Sequence, residues 1–172
     1  YNNREDRFSL LEPVPVSGLL GDYSSLEFSG VRFTVLPTPG HTTGSLTLLA
    51  DVDGKRWAFS GDLIAAPGQV WSLAATQWTY NGAEGVAASI ASLISLKGQC
   101  ANVLLPSHGE PMDHPALAID LLIERLWKLL QDRGENSRLF RFLDQPYDVV
   151  TPHLLWNRTS VANAYVLLSE SG

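Results

Sequence analysis

Three short segments of this sequence each place a metal-competent side chain in a tight turn directly after an apolar stretch: Thr38-Pro39-Gly40-His41-Thr42-Thr43-Gly44-Ser45, Ser60-Gly61-Asp62 and Pro106-Ser107-His108-Gly109. A divalent ion needs imidazole nitrogens and carboxylate oxygens aimed from rigid supports. Strand ends supply the rigidity, and adjacent glycines let the backbone turn away from the ion. Asp62 has two carboxylate oxygens and so could bridge two ions, as two-metal hydrolytic sites require, with His41 and His108 serving one ion each. Taken singly, a histidine beside a glycine is a hydrogen-bonded turn residue, and an aspartate there caps or anchors the loop that follows. The ordered trio on post-strand turns is what points to metal chemistry.

The elements that must position this trio can be read from periodicity. Leu26 and Phe28, then Val31, Phe33 and Val35, alternate around Ser29-Gly30 and predict a β-hairpin. A second pair runs from Ser45 to Ala50 and from Arg56 to Ser60, with Asp51 to Lys55 as the turn. These strands are apolar at most positions and are expected inside a sandwich. Asn81 with Glu84 resembles a capping box, and Val86, Ile90, Leu93 and Ile94 recur at helical spacing until Gly98. A strand at Val103-Leu104-Leu105 leads to the His108 turn. A second helix is expected from Asp113 as N-cap, with Pro115 in its first turn, a stripe of Leu117, Leu121, Leu122, Leu126, Leu129 and Leu130, and an end near Gly134. Strands, helix, strand and helix in that order predict a layered α/β sandwich with mixed sheets flanked by helices. Residues 1–24 are irregular, punctuated by Pro13, Pro15, Gly18 and Gly21.

At these residues the sequence resembles the metallo-β-lactamase fold superfamily, whose third, fourth and fifth metal motifs are similar to the His41, Asp62 and His108 segments in order and approximate spacing. The resemblance covers about residues 10 to 130. It implies an αββα sandwich with a metal centre, usually of two zinc ions, that activates a bridging hydroxide; iron or manganese are the alternative metals. In that reading His41 and His108 are terminal ligands, and Asp62 is both bridging ligand and catalytic residue. The implied reaction is hydrolysis of an ester, thioester, lactone, amide or phosphoester of a small-molecule substrate. An aspartate at the fourth motif, where many antibiotic-cleaving members carry cysteine, points away from β-lactam cleavage.

One departure is large: the superfamily's first motif, HxHxDH, has no counterpart here, since no two histidines are separated by one residue. His114, in the lone Asp-His pair, reads as a helix N-terminal residue and His153 as a surface residue. The expectation is therefore the second half of such a site, within residues 1–134, followed by a linker at 135–146. Residues 147–172 look like the opening strands of a further or rearranged module of the same kind, ending in a strand from Ala164 to Leu168 whose hairpin partner is missing. A fragmentary domain fits both this order and a start at Tyr1 rather than methionine. The alternatives are an iron-dependent redox relative, or an incomplete scaffold that serves binding or homodimerisation, its site completed by other segments of chain or left empty.

Other candidates carry less. Trp71, Trp78 and Tyr80 follow Asp62 in a loop without period and either wall a substrate cleft or pack within that loop. Ser60 and Ser107 have no His and acid partners at signature spacing, and there is no GxSxG elbow. Cys100 is the only cysteine, so an intrachain disulfide and multi-thiolate zinc sites are excluded; it reads as a small buried residue before the strand at Asn102.

Composition sets the outer bounds. The 172 residues carry 12 Lys and Arg against 18 Asp and Glu, a net charge of −6, which argues against nucleic acid held on a basic surface. Charged residues are only 17% and apolar ones 45%, enough for a core and unlike a disordered chain. With no apolar run near the length of a membrane span, and no signal-peptide shape at the start, a soluble, cytoplasmic protein is expected.

Overall fold

The computed structural model describes residues 15–72, 85–132, 147–157 and 164–169. Trp78, Tyr80, the Asn81 to Glu84 pair and the 135–146 linker lie outside the described residues. The first hairpin forms from β1 (Ser25–Phe28) and β2 (Val31–Pro37), in antiparallel register with Phe28 opposite Val31. The second joins β3 (Leu46–Val52) to β4 (Lys55–Gly61). Its turn is shorter than the expected Asp51 to Lys55, because Asp53 and Gly54 both take positive φ (52° and 72°), and two such residues suffice to reverse a twisted ladder. Strand β5 (Val103–Pro106) then pairs parallel to β4, completing one sheet in the order β1-β2-β3-β4-β5.

A parallel neighbour requires a crossover, and helix α1 (Val86–Lys97) lies on it. The described helix begins at Val86. Gly85 is its N-cap, with no side-chain capping bond and a backbone (φ 85°, ψ −168°) that suits glycine; its N–H donates to the carbonyl of Gly40 at 2.8 Å. Contact with the His41 turn thus sets where the helix begins. Helix α2 (Pro115–Asp132) follows β5. Its N-cap is His114 rather than Asp113, since the Ala118 N–H bonds back to the His114 carbonyl at 3.1 Å and Pro115 takes the first helical position.

The core lies between the two helices and one face of the sheet. Alternation puts Leu36, Leu49, Ala58 and Leu104 on that face, where they meet Ile90, Leu93 and Leu96 of α1 and Ile119, Leu122, Leu126 and Leu130 of α2 in one cluster. Each fully buried Leu or Ile contributes roughly 1.5–3 kcal/mol. Two positions of the expected stripes point outward instead: Ile94 is 43% exposed and Leu117 is 70% exposed. At about 100° per residue Leu117 sits roughly 200° around α2 from Ile119, so it cannot share the buried face that Ala118, Ile119 and Leu122 occupy.

On the other face of the sheet the Phe33 and Phe59 rings are 6.0 Å apart and Phe59 remains 41% exposed. Among the described residues, therefore, the helices cover only one face of these strands. A separate antiparallel sheet, β6 (Tyr147–Thr151), β7 (Leu154–Asn157) and β8 (Ala164–Leu167), forms a three-stranded ladder. Strand β8 pairs along its whole length with β7. Cys100 is exposed rather than buried, because it takes a left-handed conformation (φ 52°) in the turn that ends α1. No helix among the described residues is long and apolar enough to cross a membrane.

Candidate metal centre

Strand direction brings the three turns together. Since β2 and β4 are each antiparallel to β3, they run the same way, and β5 is parallel to β4. All three strands therefore end at the same sheet edge, and His41, Asp62 and His108 follow those three ends. A bulge between Phe59 and Gly61 re-aims the end of β4, and the Ser107 N–H donates to the Gly61 carbonyl at 2.9 Å, drawing the His108 turn alongside Asp62.

Each turn is held by its own residue types. In the first, the Thr38 N–H bonds the Ser45 carbonyl, the Thr42 N–H donates to Ser45 Oγ at 3.1 Å, and the two hydroxyls of Thr42 and Ser45 meet at 2.8 Å. Helix α1 supports it from below: Ser92 Oγ donates to the Pro39 carbonyl at 2.6 Å. The third turn rests on the second. Gly109 has φ 111° and lies so close to Ala65 that a Cβ would overlap the Ala65 carbonyl oxygen. Only glycine lets His108 stand this close to the loop that carries Asp62. Beneath the edge, Thr38, Thr47 and Ser60 form a buried polar patch in which the first two hydroxyls are 3.0 Å apart.

The side chains converge on one carboxylate. His108 Nδ1 lies 2.6 Å from Asp62 Oδ1, and His41 Nε2 lies 3.7 Å from Asp62 Oδ2. The shorter contact is a hydrogen bond; since a carboxylate only accepts, the His108 Nδ1–H donates it. His41 Nδ1 is buried and makes no hydrogen bond. The indole of Trp71 stacks on the His108 ring with centroids 4.3 Å apart and planes 9° from parallel.

The donor types, two imidazoles and one carboxylate, fit a zinc or iron ion. Their arrangement is a different matter: among the described residues no group of three or more His, Cys, Asp or Glu side chains stands as a metal-holding cluster. One of the two Asp62 carboxylate oxygens, Oδ1, accepts the His108 hydrogen bond. His114 and His153 are both exposed, His114 at the start of α2 and His153 in the turn between β6 and β7. Two contributors carry no readable signal in the sequence: Ser92, in the middle of a helix, and the stack of Trp71 on His108. Only the folded geometry reveals them.

No protein-family model matches this chain, and no curated protein matches it. Solved structures do. A metallo-β-lactamase family protein from Thermus thermophilus superposes with a TM-score of 0.51 at 25% identity, over 70% of this chain and 37% of that one. A metallo-β-lactamase with a HARLDQ motif from Cronobacter sakazakii gives 0.54 at 21% identity, over 72% and 54%. Rm3 metallo-β-lactamase gives 0.53 at 19% identity, over 73% and 54%. The chain has the α/β metallo-β-lactamase fold and spans about a third to a half of the length of these structures.

Proposed function

We propose that this chain is the ligand-bearing second part of a metal-dependent hydrolase. The observation that carries the reading is the meeting of His41, Asp62 and His108 at one sheet edge, with both imidazoles facing a single carboxylate. His41 and His108 would be terminal ligands and Asp62 the bridge of a dinuclear zinc centre, the remaining ligands coming from residues outside these three turns. Such ions supply a water whose pKa falls to about 7 and polarisation of the bond to be cleaved. The chain's own part is to hold its donors rigidly, through the Thr42–Ser45 turn, the Ser92 prop and the Gly109 contact, and to present Asp62 for orienting the attacking water. Trp71, 56% exposed and stacked on His108, would form one wall of the substrate cleft for an ester, thioester or lactone. In this reading residues 1–134 would be a partial domain, 135–146 a linker and 147–172 the opening strands of a further or rearranged module.

The test is metal content and hydrolysis of an ester, thioester and lactone panel by the intact natural protein, wild type against Asp62→Ala. Stoichiometric metal and turnover that both fall in the variant support the proposal. A second reading draws on the His108–Asp62 hydrogen bond itself, which pairs those two side chains without an ion. In that reading the fold is kept as a binding or dimerisation scaffold, and His41→Ala leaves both fold and partner binding unchanged.

A further inference from the structure

Between Asp62 and Ser72 the chain is hydrogen-bonded to α2 at Gly68. The Gly68 N–H donates to the Ala118 carbonyl at 3.2 Å, and Arg125 Nη1 donates to the Gly68 carbonyl at 2.7 Å. A Cβ at Gly68 would fall 2.6 Å from Leu121 Cγ, so the loop lies directly on the helix. Paired bonds between Ala65 and Gln69 and between Gln69 and Ala66 stiffen the turn on which Gly68 sits. Three residues on, the Trp71 indole lies flat against the His108 imidazole, 4.3 Å away and 9° from parallel, although Trp71 itself is 56% exposed. Stacking of the two rings is favourable in itself, and the pinned backbone that carries Trp71 holds the indole where it can stack. His108 is itself nearly half exposed, so Asp62 alone holds one nitrogen and leaves the ring free to rock about that bond.

We propose that Trp71 is a positioning residue: held by α2 through Gly68, its indole fixes the plane of the His108 imidazole, so that Nδ1 stays on Asp62 and Nε2 is held facing away from that carboxylate. The positioning stands without any metal; its value to the site rests on the reading of His108 as a ligand. Outer partners that orient a histidine in this way typically change metal affinity by 10- to 100-fold when lost.

The test is long-range proton–nitrogen NMR of the full chain labelled at histidine, with no metal added. Wild type is expected to show His108 as a single Nδ1–H tautomer, with ring protons displaced upfield by the indole. Trp71→Leu is expected to lose that displacement and average the two tautomers, and Trp71→Phe to retain both features. Arg125→Gln, which leaves Trp71 in place but loosens Gly68, is expected to reduce the displacement by an intermediate amount. A His108 spectrum in Trp71→Leu identical to wild type, or tautomer averaging already present in wild type, would overturn the proposal. A separate zinc titration of the intact protein tests the ligand reading, so failure of one is distinguishable from failure of the other.

Discussion

His108 and Asp62 are 46 residues apart in sequence and meet through a 2.6 Å hydrogen bond. The contact exists because β4 and β5 run parallel, so that the residues just beyond their ends leave the sheet at the same edge. His41 joins them from β2, a strand that is not adjacent to either β4 or β5. The meeting of these three side chains thus follows from strand direction, and each supporting contact can be broken separately.

Gly109→Ala is the most direct way to separate His108 from Asp62. The new Cβ meets the Ala65 backbone, and the left-handed φ of 111° adds strain, together costing about 1–3 kcal/mol or more. Urea unfolding should show the lowered midpoint, with the His108 ring resonances shifted. A midpoint and His108 spectrum equal to wild type would mean that this turn does not rest on the Asp62 loop.

Ser92→Ala removes the hydroxyl that donates to the Pro39 carbonyl. The expected loss is about 1 kcal/mol, the net worth of one such bond, with faster amide exchange confined to residues 39–45. Exchange that speeds up uniformly across α1 instead would place the role of Ser92 in the helix alone.

The register of α2 yields a paired prediction. Leu122→Ala empties a fully buried site and should cost about 2–5 kcal/mol, whereas Leu117→Ala, at a position 70% exposed, should stay within about 0.5 kcal/mol. Equal costs in denaturant melts would contradict the orientation of the helix described above.

What is legible in the sequence follows from how local the signal is. Both hairpins, the helices and the strand before His108 rest on periodicity and turn residues within a few positions, and they form where those signals lie. Helix starts are less legible, because Gly85 is fixed by the distant Gly40 carbonyl and His114 takes the cap that Asp113 resembles. Leu117 and Ile94 look like stripe residues in a one-dimensional pattern, but the buried arc is set by which face meets the other helix and the sheet. The trio of His41, Asp62 and His108 can be suspected from residue type and order, while its actual contacts, the carboxylate shared by two imidazoles and the Trp71 stack, depend on strand direction and on a loop pinned to α2. Cys100 departs from its expected burial for a similar reason: the left-handed turn conformation that carries it to solvent has no sequence signature outside glycine and asparagine.

If Asp62 binds metal together with His41 and His108, calorimetric titration of the intact natural protein with zinc shows it most directly. Wild type is expected to bind zinc stoichiometrically, with affinity reduced at least 100-fold in Asp62→Ala and clearly weakened in His108→Ala. Zinc binding by Asp62→Ala equal to wild type, or no zinc bound by wild type at all, would contradict it.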